Sequence, residues 1–309
     1  MDQDRPADVD PSGNPWATPA SGAWNPTPTG PPPTPEWAPS DYPQAPPLPD
    51  SGPRIEWGLG QVWLGLGVAI ALNTVVGVLG LGIYLASNWN VLATGDVTGI
   101  TSKVLSGLTG NPLFLASSLL TLWAGLLLGV FVASYRRGQR NLRLDFGWSI
   151  KWRTDIAFGI ALAIGLTLVE VLFNATLGWL HVDTSAVDNT SVLIKGHTGA
   201  VLIGVFVAAA VGAPMVEELF FRGLTMRALN KRRGAIPAVI GSSLLFGLLH
   251  AQPNSAGSIG PSSLWLVLFT GMLGAVLATV ALRTQRLGIT VVAHMTFNAV
   301  GLALVLLHV

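Results

Sequence analysis

From Gln61 to its end the chain is a succession of apolar runs, each close to the roughly 20 residues that one helical crossing of a bilayer requires. No other feature restricts the fold as much. The runs lie at about 61–86, 112–135, 155–180, 197–222 and beyond, 235–250, 263–282 and 288–307, the fifth being the shortest. Within them the apolar residues are continuous, whereas a membrane barrel strand alternates between lipid-facing and lumen-facing side chains. Helices are then the remaining way to pair every backbone N–H and C=O inside hydrocarbon. Composition agrees: 50% of the residues are hydrophobic and 11% charged, with a mean hydropathy of +0.54, too little polar side chain to coat a water-soluble domain. The expected architecture is all-α, a polytopic transmembrane bundle of about seven spans embedded in the lipid bilayer.

The first 55 residues are of another kind. Residues 1–53 hold 16 of the 21 prolines, with PxxP spacing and with Trp16, Trp24 and Trp37 beside or near them. Such a stretch cannot bury enough apolar surface to offset its ordering entropy, and the prolines favour extended polyproline II geometry. Residues 1–55 are therefore expected to be a disordered tail. Met1-Asp2-Gln3-Asp4 lacks the basic start and apolar core of a secretory signal, so the tail is expected to stay in the cytoplasm. A solvated linker is its first reading, and a docking segment for a proline-recognising partner its second.

Charge removes several functions. A formal net charge of +1, without a cationic stripe interleaved with aromatics, does not suit nucleic acid. The absence of cysteine removes disulfides, thiolate nucleophiles and cysteine-based zinc sites, leaving Glu, Asp, His, Ser, Thr or Lys for any chemistry. The cations also give an orientation. Arg136, Arg137, Arg140, Arg143, Lys151 and Arg153 follow the second run, Lys231, Arg232 and Arg233 the fourth, and Arg283 and Arg286 the sixth. The intervening loops carry only Lys103 and Lys195, so the cation-rich ends are expected in the cytoplasm, with the N-terminus inside and the C-terminus outside. Trp57, Trp63, Trp89, Trp148, Trp152, Trp179 and Trp265 fall near the run ends and read as interfacial anchors.

Ionisable residues inside such runs are costly and invite a functional reading. They are few: Glu217, Glu218 and Arg222 in the fourth run, His250 at the end of the fifth, His294 in the last, and Glu170 alone in the third, where it is expected to be bonded within its own helix. On a helix Glu218 and Arg222 are i and i+4 and can pair, while Glu217 is turned about 100° away. His294 and Asn298 are likewise i and i+4. Glu217 lies 16 positions before Arg233 and His250 lies 16 after Gly234, so in an antiparallel hairpin the two should be level. With His294 near the start of its run, the three would meet in the half of the bilayer nearest the cytoplasm.

A glutamate beside a histidine suits hydrolysis, because the carboxylate can act as base toward a bound water that the histidine orients. His294 and Asn298, on one rigid face, can donate to a developing oxyanion. Each feature also has a plainer reading. A Glu–Arg pair in a membrane is often structural, which is the role expected of Glu218 and Arg222, and a lone histidine can be a polar contact between helices. Ser242 and Ser243 after Gly241 read as small packing residues. A set of Glu217, His250 and His294 around zinc, with water in the fourth position, is the alternative in which a cofactor is needed. The more distant alternative is a non-catalytic scaffold or immunity-type protein.

The motifs EExxxR (Glu217, Glu218, Arg222), FxxxH (Phe246, His250) and HxxxN (His294, Asn298), in this order on successive apolar helices, resemble the CAAX prenyl protease and bacteriocin-processing family. That family includes the type II CAAX prenyl endopeptidases and many bacterial relatives described as intramembrane glutamic proteases. The resemblance covers about 197–307, within a catalytic core expected at 191–309 behind N-terminal transmembrane helices at 56–190. It implies an intramembrane endopeptidase without a cofactor, with Glu217 as base, His250 as its water-activating partner, His294 and Asn298 as oxyanion stabilisers, and Glu218 and Arg222 as support. The implied substrate is a membrane-associated peptide or a lipidated protein.

Overall fold

The computed structural model describes residues 56–90, 97–181, 198–251 and 260–308. The proline-rich tail lies outside these residues, as do Lys195, His197 and most of the loops that contain them or follow His250. Nine helices and no strands occur among the described residues: α1 Leu59–Ser87, α2 Val97–Thr109, α3 Pro112–Arg137, α4 Leu142–Phe146, α5 Trp152–Trp179, α6 Gly199–Arg233, α7 Ala235–Leu249, α8 Pro261–Thr284 and α9 Gly288–His308. Six of them, α1, α3, α5, α6, α8 and α9, are long and apolar enough to cross a membrane.

Two details depart from expectation. The fifth run forms a helix of 15 residues, about 22 Å at 1.5 Å per residue, shorter than the hydrocarbon; α7 buries Ala238, Ser242, Ser243, Phe246 and Gly247 and leaves Ile236, Ile240, Leu244 and Leu248 exposed on its other face. The segment expected as a plain loop between the first two spans contains α2, a helix of 13 residues.

Local signals explain the boundaries. Asn111 caps α3, its side chain accepting from the N–H groups of Leu113 (2.9 Å) and Phe114 (3.2 Å), and Pro112 fills the first helical position, where no N–H is needed. Asn141 caps α4 in the same way, and Gly147 closes it at φ +72°, a left-handed conformation that costs glycine nothing.

Packing is by small residues. Gly65 and Ala69 of α1 lie against Gly125 and Gly129 of α3, and a Cβ on Gly125 would run into the Ala69 backbone. In lipid such close approach supplies the dispersion contact that water-driven burial supplies elsewhere. Gly125→Val is therefore expected to cost roughly 1–3 kcal/mol by overpacking. Unfolding of the purified protein in detergent would measure it, with Gly60→Val, whose Cβ meets nothing within 4 Å, as the neutral control.

On α5, Asp155, Gly159, Ala163, Leu166 and Leu177 are buried at helical spacing, which places Glu170 and Phe173 on the same inward stripe. Phe173 meets Trp265 and Phe269 of α8, and Gly159 lies against Val292 of α9. Glu170 is half-buried there and makes no hydrogen bond, so the expectation that its helix would satisfy it is not met.

The cation-rich ends are tied together. Asp155 accepts from the Lys151 N–H (2.7 Å) and from Arg286 (2.6 Å), joining α5 to the start of α9. Asp145 accepts from Ser134 Oγ (2.6 Å) and from the Gln139 N–H (3.0 Å). Trp57, expected as an interfacial anchor, is buried, with the Lys231 ammonium 3.6 Å above its ring and the Phe146 ring 5.2 Å away. A cation stacked on the indole competes successfully with the headgroup region. Trp63, Trp89, Trp152 and Trp179 are exposed near helix ends, as anchors should be.

Candidate active site

The site is built on α6, and α6 is not a regular α-helix. It contains two π-helical segments, Ala208–Gly212 and Glu218–Thr225, separated by the turn Ala213–Glu217. Such wide turns often occur where a helix carries function. The first has a local cause and a consequence. At its end the Ala213 N–H bonds the Ala208 carbonyl, five residues back, so the next donor in that pattern, to the Ala209 carbonyl, would come from residue 214. Residue 214 is proline and has no N–H. The Ala209 carbonyl is instead satisfied from outside the helix by Asn298 Nδ2 at 2.9 Å. One of the two N–H groups of the Asn298 amide is thereby committed to holding α9 against α6, and one is left.

Below this junction Glu218 and Arg222 are fully buried and form an ion pair at 2.9 Å. The guanidinium also donates to the Gly274 carbonyl of α8 at 3.4 Å and lies 4.3 Å from the Phe246 ring centroid. Glu218 has a second partner that sequence reasoning did not assign: His294 Nδ1, 3.0 Å from its Oε1. A carboxylate accepts only, so Nδ1 carries the proton and Nε2 is turned the other way. That nitrogen stands 3.7 Å from Glu217 Oε2, beyond hydrogen-bond distance but close enough for a shared proton donor. His294 is thus held between the two adjacent glutamates, firmly by one and loosely by the other.

His250 sits one residue beyond α7 as its C-cap. Its Nδ1 is 2.8 Å from the Phe246 carbonyl and its ring packs on Phe246 at 4.5 Å. The carbonyl accepts, which leaves Nε2 of His250 as the acceptor nitrogen. Gly247 allows α7 to approach α8 this closely, since a Cβ there would come within 2.5 Å of the Val267 carbonyl.

Glu217, His250, His294 and Asn298 all line one cavity of about 770 Å³, within the range typical of ligand sites. Most of its wall is apolar and comes from residues outside the motifs: Leu119 and Trp123 of α3, Val205 of α6, and Phe269 and Leu273 of α8. Trp123 lies on Gly212, where a Cβ would collide with the indole. Glu217 and His250 both line the cavity and make no direct hydrogen bond or ion pair with each other. Among the described residues no group of three or more His, Asp or Glu side chains stands close enough together to hold a metal ion.

Of the expected site residues, then, Glu217, His250, His294 and Asn298 share the cavity, and Glu218 and Arg222 lie buried behind it. The contacts missed from sequence are Glu218 with His294 and Asn298 with the Ala209 carbonyl. Pro214 inside an apolar run was the available signal for the second, because it marks a helix that must lose a backbone bond.

Residues 199–300 match the family model described as Type II CAAX prenyl endopeptidase Rce1-like. A protein of Bacillus subtilis (strain 168) named "Putative membrane peptidase YdiL" is 31% identical over 99 residues, which are 32% of this chain and 36% of that protein. The chain thus spans about a third of the length of the curated relative it matches. No solved structure matches.

Proposed function

We propose, from the match of residues 199–300 to the family model described as Type II CAAX prenyl endopeptidase Rce1-like, that this chain is a multi-pass membrane endopeptidase with Glu217 as its base. The observation that carries the reading is the meeting of Glu217, His250, His294 and Asn298 in one cavity. A water between the Glu217 carboxylate and His250 Nε2 is held by both acceptors. Glu217 takes one of its protons as the oxygen attacks the scissile carbonyl. The oxyanion so formed faces the free N–H of Asn298 and, when the ring carries both protons, Nε2–H of His294, whose other N–H stays on Glu218. Glu217 then returns its proton to the leaving amine as the C–N bond breaks, while the second proton of the water stays on the oxygen that becomes part of the product carboxyl group.

In this reading Glu218 and Arg222 position His294 and neutralise one another, the cation-rich helix ends and the N-terminus are cytoplasmic, and the substrate is a membrane-associated or lipidated peptide. No metal takes part. Cleavage by the reconstituted protein is accordingly expected to be unchanged by a strong chelator. Complete loss that zinc restores would replace the glutamate mechanism with a zinc-dependent one.

A further inference from the structure

The cavity that holds Glu217 extends to one side only. On α3 its lining begins at Pro112 and stops at Trp123, so residues 124–137 take no part. On α6 it runs from Val201 to Glu217 and stops, and on α8 nothing after Leu273 contributes. On α9 it begins at His294, leaving out 288–293, and α7 offers only Phe246 and His250 at its far end. Each of these helices has its cations at the opposite end: Arg136 and Arg137 on α3, Lys231 to Arg233 on α6, Arg283 on α8 and Arg286 just before α9.

Burial follows the same axis. The first helical stretch of α6, Gly199–Val207, has no buried residue, whereas every residue from 218 to 226 is buried. Glu218, Phe221, Arg222, Leu224 and Leu277, which follow Glu217 and Leu273 toward the cation-rich ends, are all buried. The sequence placed the site in the half of the bilayer nearest those ends; the structure gives the cavity a floor there and extends it the other way.

Cation-rich ends mark the cytoplasmic side of a membrane protein. We infer that the cavity is entered from the non-cytoplasmic half of the bilayer and that it receives a membrane-inserted apolar segment, not a hydrated peptide arriving from the cytoplasm. Leu115, Leu119, Leu122, Val201, Val205 and Phe269 offer little to an extended backbone, whose unpaired N–H and C=O groups would be costly against them. A helical segment brings its backbone bonds already made and has to unwind only at the scissile bond, whose carbonyl then accepts from Asn298 and His294. The substrate class follows, resting on the reading of Glu217 as the base: membrane-anchored peptides presented from the outer side. The side of access does not rest on it.

The absence of native cysteine makes a direct test possible. Ser118→Cys and Thr270→Cys place a thiol in the cavity by near-isosteric exchange, and Arg232→Cys, on an exposed residue, marks the cation-rich end. Each full-length variant is treated with a membrane-impermeant methanethiosulfonate reagent in intact cells and in inverted vesicles, and the thiols left are counted by maleimide gel shift after denaturation. Ser118→Cys and Thr270→Cys are expected to react several-fold faster in intact cells, and Arg232→Cys several-fold faster in inverted vesicles. Reaction of the two cavity thiols chiefly from the Arg232 side, or from neither side, overturns the inference, as does labelling of Arg232→Cys from outside. The same measurement with Glu217→Gln added separates the two claims. An unchanged labelling pattern beside persisting proteolysis would remove the catalytic reading and leave the direction of access standing.

Discussion

Glu217→Gln is expected to yield a folded, membrane-inserted protein whose cleavage rate has fallen on the order of 10²–10⁴-fold, the usual contribution of a general base. The exchange keeps the shape of the side chain and removes only its ability to take a proton. Little structure depends on the charge, since the nearest ion-pair partner of Glu217 is His294 at 3.7 Å and the fully buried pair is Glu218 with Arg222. Comparison of the membrane peptidomes of cells carrying the two forms would read the effect and name the substrates together. A biological phenotype that survives this substitution at normal protein level would identify the chain as a scaffold or immunity-type protein.

Arg222→Met is expected to act on stability. It leaves Glu218, fully buried, without its guanidinium partner, and breaking one side of a buried ion pair typically costs about 3–5 kcal/mol. The His294 N–H that remains on Glu218 places the cost toward the lower end. Removing both charges in Glu218→Gln/Arg222→Met should recover most of the loss, because the desolvated carboxylate is then gone. Denaturant titration in detergent would measure both variants. The double variant is nevertheless expected to cleave poorly, since a neutral amide at 218 no longer dictates which ring nitrogen of His294 carries the proton. A single variant as stable as the parent would show that the pair contributes nothing to the fold.

Much of the fold was legible beforehand for a simple reason. Whether a run of residues can cross hydrocarbon depends on its own length and polarity, so the six long spans could be placed from the sequence, and α7 could be marked as the weakest. The i, i+4 pairing of Glu218 with Arg222 was legible too, because both residues belong to one helix and its geometry is known in advance. Trp57 was misread because its partner, Lys231, lies 174 residues away, and an indole near a span end looks the same whether it faces headgroups or a cation.

What the amino-acid sequence determined by itself was therefore everything that one segment decides alone: helical spans, their order, the cations at their ends, and the identities of the few ionisable residues within them. Only the tertiary structure decided which of those residues touch. It decided that His294 bonds Glu218 on one side and faces Glu217 on the other, that Asn298 satisfies the carbonyl which Pro214 leaves without a donor, and that the cavity extends away from the cation-rich ends. These are relations between helices distant in the chain, set by how small residues such as Gly212 and Gly247 let backbones approach, and no property of a single apolar run carries them.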